Sequence, residues 1–105
     1  MRRKLVFTGE AESQLESTRA NPSKIGLYKQ VCKTLGLLET NPRHPSLKTH
    51  EYSSIQGLHG EKIFEAYAQN QTPGAYRVFF HYGLDEWHGR ARVAVMTIVA
   101  ITPHP

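Results

Sequence analysis

Several side chains in the C-terminal half are of the types that general acid–base catalysis draws on, and they recur at strand spacing. Successive side chains of an extended strand point to opposite faces. In the stretch from Ala75 to Tyr82, Tyr76, Val78, Phe80 and Tyr82 therefore point one way, while Arg77, Phe79 and His81 point the other. In the preceding stretch Glu65 and Tyr67 share one face, and Phe64, Ala66 and Ala68 share the other. If helices cover the apolar sets, Glu65, Tyr67, Arg77 and His81 stand together on an open antiparallel surface, although a one-residue bulge in either strand would reverse this. His104 follows at the chain's end between Pro103 and Pro105. Rigid flanks limit the entropy lost in holding an imidazole near a substrate. Each residue also has a plainer use. Arg77 can pair with Glu65 across the hairpin for under about 1 kcal/mol if exposed, Tyr67 can pack at a sheet edge, and a terminal tail can simply fray.

The elements that must position these groups are legible in outline. Leu5-Val6-Phe7 reads as a short first strand ending at Thr8-Gly9. Thr8 can cap a mostly polar helix from Glu10 to about Arg19, with Glu10 and Glu12 in the first turn, where the helix dipole favours negative charge. Asn21-Pro22 starts a second helix, in which Ile25, Tyr28, Val31, Cys32, Leu35 and Leu38 recur at three and four residues until Asn41-Pro42 ends it. The pair forms a helical hairpin that needs a sheet to cover. Residues 41–61, with Pro42, Pro45, Gly57 and Gly60, predict a long irregular stretch, basic through Arg43, His44, Lys48 and His50, of the kind that is often functional. Lys62–Gln69 and Ala75–Tyr82 then form a β-hairpin around Asn70-Gln71-Thr72-Pro73-Gly74. After a turn over Gly83–Gly89, Arg92–Ile101 is a nearly continuous apolar strand suited to the middle of a sheet. The expectation is one α+β domain over residues 1–105, of order β-α-α-β-β-β, with a helix hairpin on one face of a mainly antiparallel four-stranded sheet.

Length and composition narrow the function classes. A chain of 105 residues supports one modest core. With 39% hydrophobic and 21% charged residues it is not a disordered chain. No apolar stretch is long enough to span a bilayer, and Met1-Arg2-Arg3-Lys4 leads into no signal-peptide core, so a cytoplasmic location and no membrane partner are expected. Cys32, the single cysteine, rules out an internal disulfide and reads as a small core residue rather than a nucleophile. His44, His50 and His59 are spaced too widely for a compact zinc motif, and Gly57-Leu58-His59-Gly60 lacks the Lys-Ser/Thr end of a phosphate-binding loop. No metal and no other cofactor is expected. Thirteen Lys and Arg against nine Asp and Glu give a formal charge of +4, which favours acidic partners such as nucleic acid or an acidic protein segment.

The element order, the Tyr76-Arg77-Val78-Phe79-Phe80 run and a final hydrophobic strand leading into a short polar tail resemble the RelE/ParE toxin superfamily. These are small basic toxins of bacterial type II toxin–antitoxin pairs. The resemblance implies a RelE-like fold. It also implies a metal-independent, ribosome-dependent mRNA endoribonuclease, in which the RNA 2′-hydroxyl attacks the adjacent phosphate. In that nuclease branch an arginine at the place of Arg77 stabilises the phosphate under attack, and some members carry a tail histidine at the place of His104. His104 or Glu65 would be the base, Arg77 the cation and His81 or His104 the acid. Tyr67 would stack on an exposed base, and Lys62, Arg43 and Lys48 would be further RNA contacts. Two features depart from the pattern: the strand Lys62-Ile63-Phe64-Glu65-Ala66-Tyr67 carries one lysine where several nucleases carry a basic cluster, and Pro105 stands where related tails often have tyrosine. The alternatives within the resemblance are a ParE-like toxin that inhibits DNA gyrase by binding and a non-toxic interaction module. All three imply a cognate antitoxin whose acidic segment folds on binding.

Overall fold

The computed structural model describes residues 2–69 and 74–104. The turn expected around Asn70–Pro73 lies outside the described residues. β1 (Lys4–Phe7) leads into α1 (Gly9–Ala20), and a short 3-10 turn (Pro22–Lys24) leads into α2 (Ile25–Thr40). A second 3-10 turn (Pro45–Leu47) precedes β2 (His50–Gln56), β3 (Lys62–Tyr67) and β4 (Tyr76–Tyr82). Then come β5 (Glu86–His88), β6 (Ala91–Val93) and β7 (Val95–Pro103).

The α+β class and the helix hairpin on one sheet face are as the sequence predicts. The sheet is larger than predicted. Five strands run in the order β1-β7-β4-β3-β2, with β1 parallel to β7 and the other pairs antiparallel, and β5-β6 form a separate two-stranded ribbon. The fifth strand corrects the reading of residues 41–61 as irregular. Leu47 is almost fully buried and anchors the 3-10 turn. Lys48 then takes a left-handed conformation (φ 46°) that turns the chain into β2. The ribbon corrects the single strand expected over Arg92–Ile101, since Arg92 belongs to the ribbon and Val95–Pro103 to the sheet.

Helix boundaries follow their caps. The Thr8 hydroxyl accepts from Ala11 N at 3.1 Å, and Asn21 Oδ1 accepts from Ser23 N at 3.0 Å. The helices bury Ala11, Val31, Leu35 and Leu38 against Ala66, Val78, Phe80, Met96, Ile98 and Ile101 of the sheet. Cys32 is only half-buried, and it hydrogen-bonds Tyr28, which raises the phenol's pKa. Among the described residues no helix is long and apolar enough to cross a membrane.

The core positions of β7 change parity. Met96 and Ile98 are even-numbered, but Ile101 is odd. The register against β4 shows why: Phe80 pairs with Ile98 and Phe79 with Ala100, so Val99 is an extra residue, a β-bulge. The irregular backbone is served from α1 and its cap, because Thr8 Oγ1 donates to the Val99 carbonyl and Gln14 Oε1 accepts from Ile101 N. Beyond the bulge Thr102 pairs with Arg77, so even-numbered residues now face away from the helices. His104 thereby reaches the open face; without the bulge it would be turned toward the helices.

Candidate functional site

β3 and β4 pair Tyr67 with Arg77 and Glu65 with Phe79, which sets these side chains on the open face, as expected. They are not on an open surface, however. Glu65 is 1% exposed and Arg77 5%, because β2 brings its own side chains across them. His50 pairs with Glu65, and Tyr52 packs edge-on against Phe79, ring centroids 5.2 Å apart.

The Glu65 carboxylate is the hub. His50 Nε2 lies 3.2 Å from Oε1, Arg77 Nε lies 3.7 Å from the same oxygen, and His104 Nε2 lies 3.3 Å from Oε2. Each neighbour is held from behind. His50 Nδ1 donates to the Lys48 carbonyl at 2.8 Å, since a carbonyl only accepts. Arg77 donates from one terminal nitrogen to the carbonyls of Gln69 and Tyr76, at 2.9 and 3.1 Å. Its guanidinium stacks on the Tyr67 ring at 3.6 Å. The Tyr67 carbonyl accepts from Thr34 of α2. His104 is fixed by its own backbone, N to the Ala75 carbonyl at 2.8 Å, and its ring meets Tyr52 edge-on at 6.1 Å. The Lys48 ammonium completes the group 5.4 Å above Tyr67. Among the described residues, Glu65 Oε2 and Arg77 Nε are the two buried side-chain polar atoms that make no hydrogen bond of normal geometry. Both face this cluster.

The arrangement sorts the expected residues. Glu65, Arg77, His104, Tyr67 and Lys48 converge. His81 does not: its ring contacts the Tyr82 carbonyl, and it lies towards Glu61, whose carboxyl sits below the usual range chiefly because it accepts from the His59 backbone. Arg77 and His81 stand two residues to either side of Phe79, the partner of Glu65, so His81 is set apart by what its ring contacts and not by distance along the strand. Lys62 lies on the Phe64–Ala66 side of β3 by alternation, and Arg43 lines a separate cleft near Tyr82. Two members were missed, His50 and Tyr52. They are two residues apart after a buried Leu47, a weak strand signal obscured by the prolines, serines and glycines around it. Among the described residues no cluster of three or more His, Cys, Asp or Glu side chains is placed to hold a metal ion.

The whole chain matches a chain of the YoeB dimer structure from Staphylococcus aureus, with 100% of this chain and 100% of that chain covered, a TM-score of 0.60 and 15% identity. The fold is RelE-like. No protein-family model and no curated protein matches the sequence. The RelE-like frame is thus reached with a different sequence, and the groups on its open face must be read from their own chemistry.

Proposed function

We propose that this protein is the toxin of a type II toxin–antitoxin pair and a metal-independent endoribonuclease that cuts mRNA on the ribosome. The observation that carries this reading is the buried Glu65 carboxylate with one imidazole on each oxygen and a guanidinium beside it. In-line attack of a 2′-oxygen on phosphorus places the entering and leaving oxygens on opposite sides, so two proton-transfer groups are needed. Side-chain exposures of 43% for His104 and 48% for His50 leave both able to meet a substrate, whereas Glu65 is too buried to touch one. His104 takes the 2′-hydroxyl proton as the O2′–P bond forms, and His50, whose Nδ1 stays on the Lys48 carbonyl, turns its Nε2 proton from Glu65 to the 5′-oxygen as the P–O5′ bond breaks. Glu65 orients both rings, as the carboxylate of a hydrolase triad orients its histidine. Arg77, at the floor under Tyr67, supplies fixed positive charge to the crowded phosphorane. Tyr67 and Lys48 receive a base and a phosphate.

The antitoxin of this reading is an acidic segment that covers the cluster, suited to the +4 charge of the chain. The test is induced expression of wild type, Arg77→Ala and His104→Ala, with bulk mRNA followed by primer extension and folding checked by circular dichroism. Growth arrest with codon-phased cuts, lost in both folded variants, is the expected result. Arrest with intact mRNA would replace the nuclease by a toxin that acts through binding a protein such as DNA gyrase. No arrest would leave an interaction module.

A further inference from the structure

A second set of cations and aromatics lies outside the catalytic cluster and takes no part in the mechanism above. Arg3, Arg43 and Arg92 line one cleft of about 590 Å³ together with Tyr82, Leu84 and Asp85. A neighbouring cleft of about 380 Å³ shares Pro42, Arg43 and Tyr82 with it and is lined also by His44 and Lys48. Lys48 is the residue whose ammonium stands over Tyr67 in the catalytic cluster. The two clefts thus share three lining residues, and Lys48 stands between the smaller one and the site.

Aromatic surfaces alternate with the cations along this path. Arg3 lies 5.0 Å over the ring of Tyr82, which is itself 41% exposed. On the ribbon, Trp87 pairs directly with Arg92, so both side chains leave the same face, and Trp87 is 67% exposed. The ribbon is nonetheless held firmly: Asp85 accepts from Arg92 Nε at 2.8 Å and from Val95 N at 2.9 Å, and Lys4 reaches Glu86 at 3.0 Å. The Val95 backbone bond first, and then the Arg92 bond, depress the Asp85 pKa. Trp87 is thus exposed on a fixed platform.

We propose that this path binds single-stranded RNA flanking the cleaved bond, with Arg43, Arg3 and Arg92 on phosphates and Trp87 and Tyr82 as stacking surfaces for bases. The inference rests on the nuclease reading for its direction, since the path leads away from the catalytic cluster. Three guanidiniums against the one carboxylate of Asp85 favour a polyanion. The interleaved rings favour RNA over an acidic peptide, because alternating phosphates and bases match alternating cations and aromatic faces.

Trp87 is the only tryptophan in the chain, so its fluorescence reports this platform alone. The probe is a 2′-O-methyl oligouridine of about twelve nucleotides, within the span of common single-strand sites, which cannot be cleaved and so separates binding from catalysis. Saturable quenching of Trp87 is expected. By anisotropy of the labelled oligomer, Trp87→Ala should weaken binding about five-fold or more, as loss of one stacked base does. Arg3→Ala with Arg43→Ala should reduce the salt-dependence slope by about 1.4, at roughly 0.7 per phosphate contact on a single strand. RNA binding without any change in Trp87 emission overturns the proposal, as does failure to bind RNA. Quenching by polyglutamate as strong as by RNA also overturns it, in favour of an acidic protein partner. Codon-phased cuts in cells without quenching would sink this path and leave the nuclease standing; quenching without cuts would support the path and sink the nuclease.

Discussion

Arg77 and His81 leave the same face of the same strand, yet one is buried at the centre of a charge cluster and the other stands beside Glu61 at the periphery. The difference is made by their neighbours. At the Arg77 end, β2 runs in register with β3 through His50–Glu65 and Glu51–Phe64 and lays His50 and Tyr52 over the face. Towards the other end, the register of β2 shifts before Gln56 meets Lys62, and Ile55 and Leu58 are exposed. Strand alternation decides the face of a residue. Whether that face becomes a site depends on what the next strand brings to it.

This contrast can be broken at its charged end first. Glu65→Ala removes the partner of a buried guanidinium, and breaking such a pair costs about 3–5 kcal/mol. We expect a loss of that size in urea unfolding, with cleavage abolished; a loss below about 1 kcal/mol would show that Arg77 is not held by Glu65. Deleting Thr102, beyond the bulge, takes one residue out of the alternation and turns His104 off the open face. Cleavage should fall as far as in His104→Ala, and adding His104→Ala to the deletion should cost nothing further, whereas additive losses would mean that the deletion does not act through His104. The smallest effect sharpens the comparison from the other end. His81→Ala should leave cleavage unchanged, while a loss approaching that of His104→Ala would return His81 to the mechanism.

Much of the frame was legible because its signals are local: the Thr8 and Asn21 caps, the spacing from Val31 to Leu38, and the alternation in β3 and β4. Glu65, Tyr67 and Arg77 could be grouped from that alternation alone. His104 could be suspected from its proline flanks, but its face depends on an extra residue at Val99 that no pattern in a run of apolar residues reveals. β2 was hidden because His50-Glu51-Tyr52-Ser53-Ser54 has no apolar alternation; it is an edge strand whose inward groups, an imidazole and a phenol, cover charged groups rather than a core. His81 shows that sharing a face with Arg77 is not the same as sharing its neighbours.

The chemistry of the cut ends tests the central claim most directly. Purified protein should cut ribosome-bound mRNA to leave a 2′,3′-cyclic phosphate on one fragment and a 5′-hydroxyl on the other, with both products lost in His104→Ala. Fragments bearing a 3′-hydroxyl and a 5′-phosphate would contradict attack by the RNA's own 2′-hydroxyl under the control of Glu65, His50 and His104.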